Sequence, residues 1–166
     1  MNREIIKRQH EKVVCENLLN ALKLRADFLR EGDDKDEPDM LYMLDGGMLG
    51  IEVGTAYYSN SDAKQEWTLA AGERAFPSVG YEMREKGPIY NPDELICQRT
   101  QEIIFDKCKN KYSTNNTWLC IQQRAPLNDS DSMTRCSENL LIPQKHFFQS
   151  IYLIDYRSNE VKKLNV

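Results

Sequence analysis

Residues 37–58 read EPDMLYMLDGGMLGIEVGTAYY, and the reading of this stretch decides the fold. Residues 39–45 form an apolar and aromatic run of strand character, and Gly46-Gly47 is a hairpin turn signal. Residues 48–58 follow as a second, almost continuously apolar run, the pattern of a central strand covered on both faces. One carboxylate, Glu52, interrupts it. Counting outward from the turn, Asp39 and Glu52 fall nearly opposite one another. Directly opposed residues of an antiparallel pair share a face, with Cβ atoms about 5 Å apart. Two carboxylates so close repel unless positive charge lies between them. A divalent cation is the economical source of that charge, and an all-oxygen donor set suits Mg²⁺ or Mn²⁺. Such an ion lowers the pKa of bound water and neutralises phosphate charge in hydrolysis. Two plainer readings stand beside this one. Asp39 caps a turn, and Glu52 pairs with an arginine or faces solvent at a sheet edge.

Outward from the hairpin, residues 3–24 carry Ile6, Val13, Val14, Leu18, Leu19 and Leu22 at helical spacing. This helix offers Glu11 and Glu16 as further acids. Residues 26–30 read as a short first strand, and residues 31–38 as an acidic connection. After the hairpin, Ser61 or Asp62 caps a helix running to about residue 75. The Pro- and Gly-containing stretch 76–92 reads as an irregular excursion over a site mouth. Asp93 caps a long helix to about residue 111, with Leu95, Ile96, Ile103, Ile104 and Cys108 on its buried side. Strands follow at 117–122, 150–156 and 160–164. Residues 124–140 are polar and poorly patterned, and 140–148 adds one short element. The order of helices and strands predicts one α/β domain over residues 1–166, with a mixed sheet whose later strands are reached by a helical crossover.

With 166 residues, 40% hydrophobic and 29% charged, the chain can bury a real core. No apolar run approaches the roughly 20 residues of a membrane span, and the charged start MNREIIKRQHEK is not a signal peptide. A cytoplasmic protein is expected. The odd number of cysteines (Cys15, Cys97, Cys108, Cys120 and Cys136), without a CxxC pair, argues against a zinc ribbon or a disulfide scaffold. Most of them are expected to be small buried apolar residues in a reducing compartment. A net charge of −4 excludes a surface that is basic throughout, though not a local basic patch.

The order of a helix bearing Glu11 or Glu16, then Pro38-Asp39, a hairpin, and Gly50-Ile51-Glu52-Val53 resembles the PD-(D/E)XK nuclease superfamily, in a branch of small bacterial and phage proteins. The tail, a long helix followed by NTWLCIQ and FFQSIYLIDY, is similar to that branch as well. The resemblance covers most of the chain except 76–92 and 124–140. It implies a restriction-endonuclease-like three-layer core: a central mixed sheet of four to five strands flanked by helices. It implies a Mg²⁺- or Mn²⁺-dependent nuclease acting on nucleic acid, DNA first. Asp39 and Glu52 would be metal ligands and Glu11 an auxiliary acid. The family's lysine, which stabilises charge on the water or phosphate, is missing, because Gly54 stands two residues after Glu52. In some relatives this lysine moves to the following helix, where Lys64 lies here with Gln65 beside it and Arg74 further on. Either the lysine has migrated to Lys64 (or Gln65 orients the water), or the site is degenerate and the fold serves as a protein-interaction or regulatory module. DNA against RNA, and a homodimer or a protein partner, stay open.

Other signals weigh less. The acidic run 33–39 lacks the glycine of an EF-hand loop. Trp67 and Trp118 read as core rather than as stacking platforms. Tyr57 and Tyr58 line the site or simply pack. Lys107, Lys109 and Lys111 read as a basic helix end that suits the helix dipole, or as a phosphate contact. No Walker loop, HExxH or GxSxG is present, and His146 has no visible acid and nucleophile partner.

Overall fold

The computed structural model describes residues 2–33, 35–57, 92–124 and 130–166. The elements are α1 (Arg3–Ala21), β1 (Asp27–Glu31), β2 (Met40–Leu44), β3 (Gly47–Tyr57), α2 (Pro92–Lys107), β4 (Thr117–Arg124), α3 (Ser130–Asn139), β5 (Ser150–Asp155) and β6 (Val161–Lys163). The strands form one six-stranded sheet in the order β1-β2-β3-β4-β5-β6. The β3–β4 and β4–β5 pairs are parallel and the other three antiparallel. This is the expected mixed α/β architecture, with six strands rather than four or five. The sequence-predicted helix at 61–75 and the excursion at 76–92 lie outside the described residues.

Strand alternation sorts the core into two layers. Leu49, Ile51 and Val53 of β3, Cys120 of β4, and Tyr152 and Ile154 of β5 pack against Val14, Cys15, Leu18 and Leu19 of α1. Ala56, Leu119, Ile121, Ile151 and Leu153 pack on the other side against Ile96 and Ile104 of α2 and Met133 of α3. Glu52 and Gly54 share parity with Ala56, so they face α2. Both faces are covered, which accounts for the uninterrupted apolar reading of β3 to β5.

Four local expectations change. Val13 is exposed, because the buried stripe of α1 runs through Ile6, Glu11, Val14, Cys15 and Leu18 and takes in a carboxylate where the apolar count supplied a valine. The polar segment before residue 140 contains α3, which buries Ser132, Met133 and Cys136 and exposes Asp131, Arg135, Glu138 and Asn139. Two apolar contacts in ten residues are too few for a periodicity signal. Residues 140–148 hold no regular element. Finally, Cys97 of α2 and Cys136 of α3 form a disulfide, where the cysteine pattern pointed to a reducing compartment. Thirty-nine residues separate them, so only the packing of α2 on α3 makes them neighbours. Cys15, Cys108 and Cys120 are free and buried, as expected.

Candidate active site

The hairpin register places the two acids. Met40 pairs with Ile51, so Asp39, one residue before β2, lies opposite Glu52. The two are tied through the backbone: the Asp39 N–H donates to Glu52 Oε2 at 3.3 Å, and the Val53 N–H donates to Asp39 Oδ2 at 2.8 Å. Pro38 is seated between two glycines. A side-chain carbon on Gly32 would strike its carbonyl, and one on Gly50 would strike its ring. The Gly32 N–H donates to the Asp39 carbonyl at 2.9 Å. The Pro-Asp step is thus held in place by absent side chains as much as by present ones.

Glu52 is 6% exposed. Its Oε1 accepts from the Lys107 ammonium at 2.5 Å, a contact between residues 55 apart in sequence. Lys107 is the last residue of α2, and it lies on the helix face that also carries Ile103 and Ile104. Its position depends on Gly54. A Cβ built there would sit 2.6 Å from Ile103 Cγ2, so α2 packs on β3 with the Ile103 methyl in the space a side chain at 54 would take. Gly54, two residues after Glu52, therefore leaves room for the helix that supplies a lysine to that glutamate.

From α1, Glu11 joins the cluster and Glu16 does not: Glu11 is buried and Glu16 exposed. Lys7 Nζ lies 3.4 Å from Glu11 Oε1. Arg8 Nη1 lies 3.8 Å from Glu11 Oε2 and 3.8 Å from Asp39 Oδ1, bridging the two acids at long range. Glu11 Oε2 is buried without a hydrogen-bond partner among the described residues. Burial and the Asp39 charge outweigh Lys7 and Arg8, and raise the Glu11 carboxyl to about 7. Burial, then Asp39, likewise raises Glu52 against the pull of Lys107. Burial works to lower the Lys107 ammonium, but Glu52, Asp39 and Glu11 together hold it above its ordinary value. Burial is the larger cause for the two carboxyls, with the Asp39 charge second, whereas at Lys107 the neighbouring carboxylates overcome burial.

The surroundings add shape. A cleft of about 460 Å³ runs between the C-terminal half of β3 and α2, bounded by Gly54, Thr55, Tyr57, Arg99, Ile103 and Lys107. On the opposite face of β3, His10 Nε2 lies 3.4 Å from Thr55 Oγ1, and burial, then Arg124, lowers its imidazole to about 4. Burial and the Glu52 charge push the Tyr112 phenol up.

Of the sequence-predicted residues, Glu11, Asp39 and Glu52 come together, while Lys64, Gln65, Tyr58 and Trp67 lie outside the described residues. Trp118 is partly buried against the α1-side core, and its ring packs on Tyr152. Lys107 was missed as a site residue because it reads as part of a basic helix end. The available signal was its spacing: it follows Ile103 by four and Ile104 by three, which puts it on the apolar stripe rather than the wet face. Among the described residues no three His, Cys, Asp or Glu side chains are grouped so as to hold a metal ion.

No family model and no curated protein matches the chain. Among solved structures it is similar to the SfsA protein of Pyrococcus furiosus in complex with Ca²⁺, at 12% identity and a TM-score of 0.27. The match covers 98% of this chain and 64% of that one, so the chain spans about 64% of the length of SfsA.

Proposed function

We propose that this chain is a Mg²⁺- or Mn²⁺-dependent nuclease that hydrolyses phosphodiester bonds of nucleic acid, with DNA the first substrate to try. The observation that carries the reading is the Asp39–Glu52 pair with Lys107 delivered to it across Gly54. It supplies the acid, acid and lysine chemistry of the PD-(D/E)XK pattern from a different place in the chain.

The donor set fits a hard divalent cation. Mg²⁺ is commonly held by one or two carboxylates, the remaining positions going to water and substrate phosphate, and the buried, unbonded Glu11 oxygen marks a place where positive charge is wanted. Asp39 and Glu52 would hold the ion, with Glu11 behind them. When bound, it supplies an acidified water and charge neutralisation at the phosphate. The chain's own residues do the rest. The hairpin fixes the spacing of Asp39 and Glu52. Lys107 places a permanent positive charge beside Glu52, where it can move to a phosphoryl oxygen as negative charge builds there. Arg8 restrains Asp39 and Glu11, and the α2–β3 cleft beside Lys107 leaves room for the substrate backbone. Lys64 and Gln65 keep the water-orienting role expected of them as a proposal. A cytoplasmic location belongs to the same reading; no described helix is long and apolar enough to cross a membrane.

One observation favours the second reading, a degenerate nuclease fold acting through protein contacts. Lys107 and Arg8 already offset part of the acidic charge without any metal. Calorimetric titration of Mg²⁺ and Mn²⁺ into the wild type, Asp39→Ala and Glu52→Ala separates the two, followed by cleavage assays on DNA and RNA with Lys107→Met alongside. The nuclease reading expects binding that both acid variants abolish, and cleavage reduced at least a hundredfold in Lys107→Met. A wild type that takes up no divalent cation, with or without nucleic acid, overturns it.

A further inference from the structure

A second basic site lies next to the first. Beyond the end of α2 the chain turns through Cys108, Lys109, Asn110 and Lys111, and the segment before β5 brings Lys145, His146 and Phe147 against it. Together they enclose a pocket of about 280 Å³ with no carboxylate on its wall among the described residues. Tyr112 anchors the two segments to each other, its ring 6.1 Å from Phe147 and 5.3 Å from Phe148. The lysines are exposed, and His146 Nδ1 is buried with no hydrogen-bond partner among the described residues. Asp106, one turn back on α2, lies 3.7 Å from Lys109 between two largely exposed side chains, an arrangement that holds weakly in water. On a chain of net charge −4, three lysines and a histidine around one acid-free pocket are a local reversal of sign.

We infer that this pocket, formed by Lys109, Lys111, Lys145 and His146, binds the phosphodiester backbone of the nucleic acid whose reacting phosphate occupies the Asp39–Glu52 site. The inference rests on the nuclease reading and extends it to the path of the substrate. Lys107 joins the two sites. It ends α2 inside the candidate site, and the next residues of the chain line the pocket, so a strand leaving Lys107 meets the pocket wall. The form of the site selects the ligand. A lone phosphate is held best by buried donors converging on one point. Here the cations are mobile point charges on two segments, which suit a polyanion.

The test is fluorescence anisotropy with labelled double- and single-stranded oligonucleotides in EDTA, over a salt series, for the wild type and a Lys109→Ala, Lys111→Ala, Lys145→Ala triple variant. The replaced side chains are exposed, so the variant is expected to fold, and circular dichroism checks this. The wild type should bind, and the variant should lose about 2–3 from the slope of log K against log salt, with binding roughly tenfold weaker per lost contact at ~0.1 M salt. A folded variant with the wild-type affinity and slope overturns the inference while the nuclease reading stands. In parallel, inorganic phosphate is titrated against the His146 ring signals by NMR. If phosphate shifts His146 and the wild type binds no oligonucleotide, the pocket is a small-anion site and the backbone assignment falls, the nuclease reading being decided separately by the cation titration. If neither ligand binds, the backbone assignment falls as well.

Discussion

Gly54→Ala is the most direct probe of how the site is assembled. Two effects compete. In a strand, replacing glycine removes conformational freedom from the unfolded chain, which stabilises by roughly 0.4–1 kcal/mol where the native backbone accepts a side chain. Against this, the new Cβ would lie 2.6 Å from Ile103 Cγ2, about 1 Å inside ordinary contact. The contact is relieved only if Ile103 leaves its rotamer or α2 withdraws, and overpacking of this kind costs about 1–3 kcal/mol. The net expectation is a loss of about 1–2 kcal/mol in urea denaturation. Withdrawal of α2 also carries Lys107, one turn beyond Ile103, away from Glu52, so the variant should lose cleavage disproportionately to its stability. The control is Ile103→Ala, which deletes the clashing methyl. The two changes should couple favourably, by about 1 kcal/mol or more in a double-mutant cycle, with activity partly restored in the double variant. Gly54→Ala as stable as the wild type or more so, with no coupling to Ile103, would refute the claim that glycine is what admits α2.

Two further outcomes are expected. Glu11 rises from 4.5 to about 7 on folding, so the native state binds its proton more tightly than the unfolded chain, and stability falls as pH rises from about 4.5 through 7. The window corresponds to about 3 kcal/mol at most; Glu11→Gln should therefore be the more stable protein at pH 8 and lose that advantage near pH 4, as read from urea midpoints without added metal. Reduction of the Cys97–Cys136 disulfide, or Cys136→Ala, should cost about 2–4 kcal/mol by the loop-closure argument for a 39-residue separation, with mass spectrometry of the alkylated protein confirming the oxidised state beforehand.

The hairpin was legible because everything that builds it is local. Gly46-Gly47 sets the turn, alternation sets the faces, and counting outward from the turn places Asp39 opposite Glu52. The late strands were legible for the same reason, as short apolar runs bounded by polar turns. The fate of Glu11 was only half legible. Its helix was evident, but whether it or Glu16 turned inward depended on a buried stripe that takes in a carboxylate in place of Val13. α3 was hidden because it meets the core through few apolar side chains and owes its place to α2, through the disulfide and through Ser132 and Arg135 donating to Asp93.

By itself, the sequence determined the sheet hairpin, the α/β order and the two acids at the hairpin's end, since each follows from periodicity or turn chemistry within about twenty residues. It also raised the difficulty of Gly54, where a lysine was wanted. Only the tertiary structure decided what that glycine is for. Packing, not spacing, brings α2 down onto β3, and the approach is possible because position 54 has no side chain to hold the helix off. Lys107 reaches Glu52 for that reason, from 55 residues away.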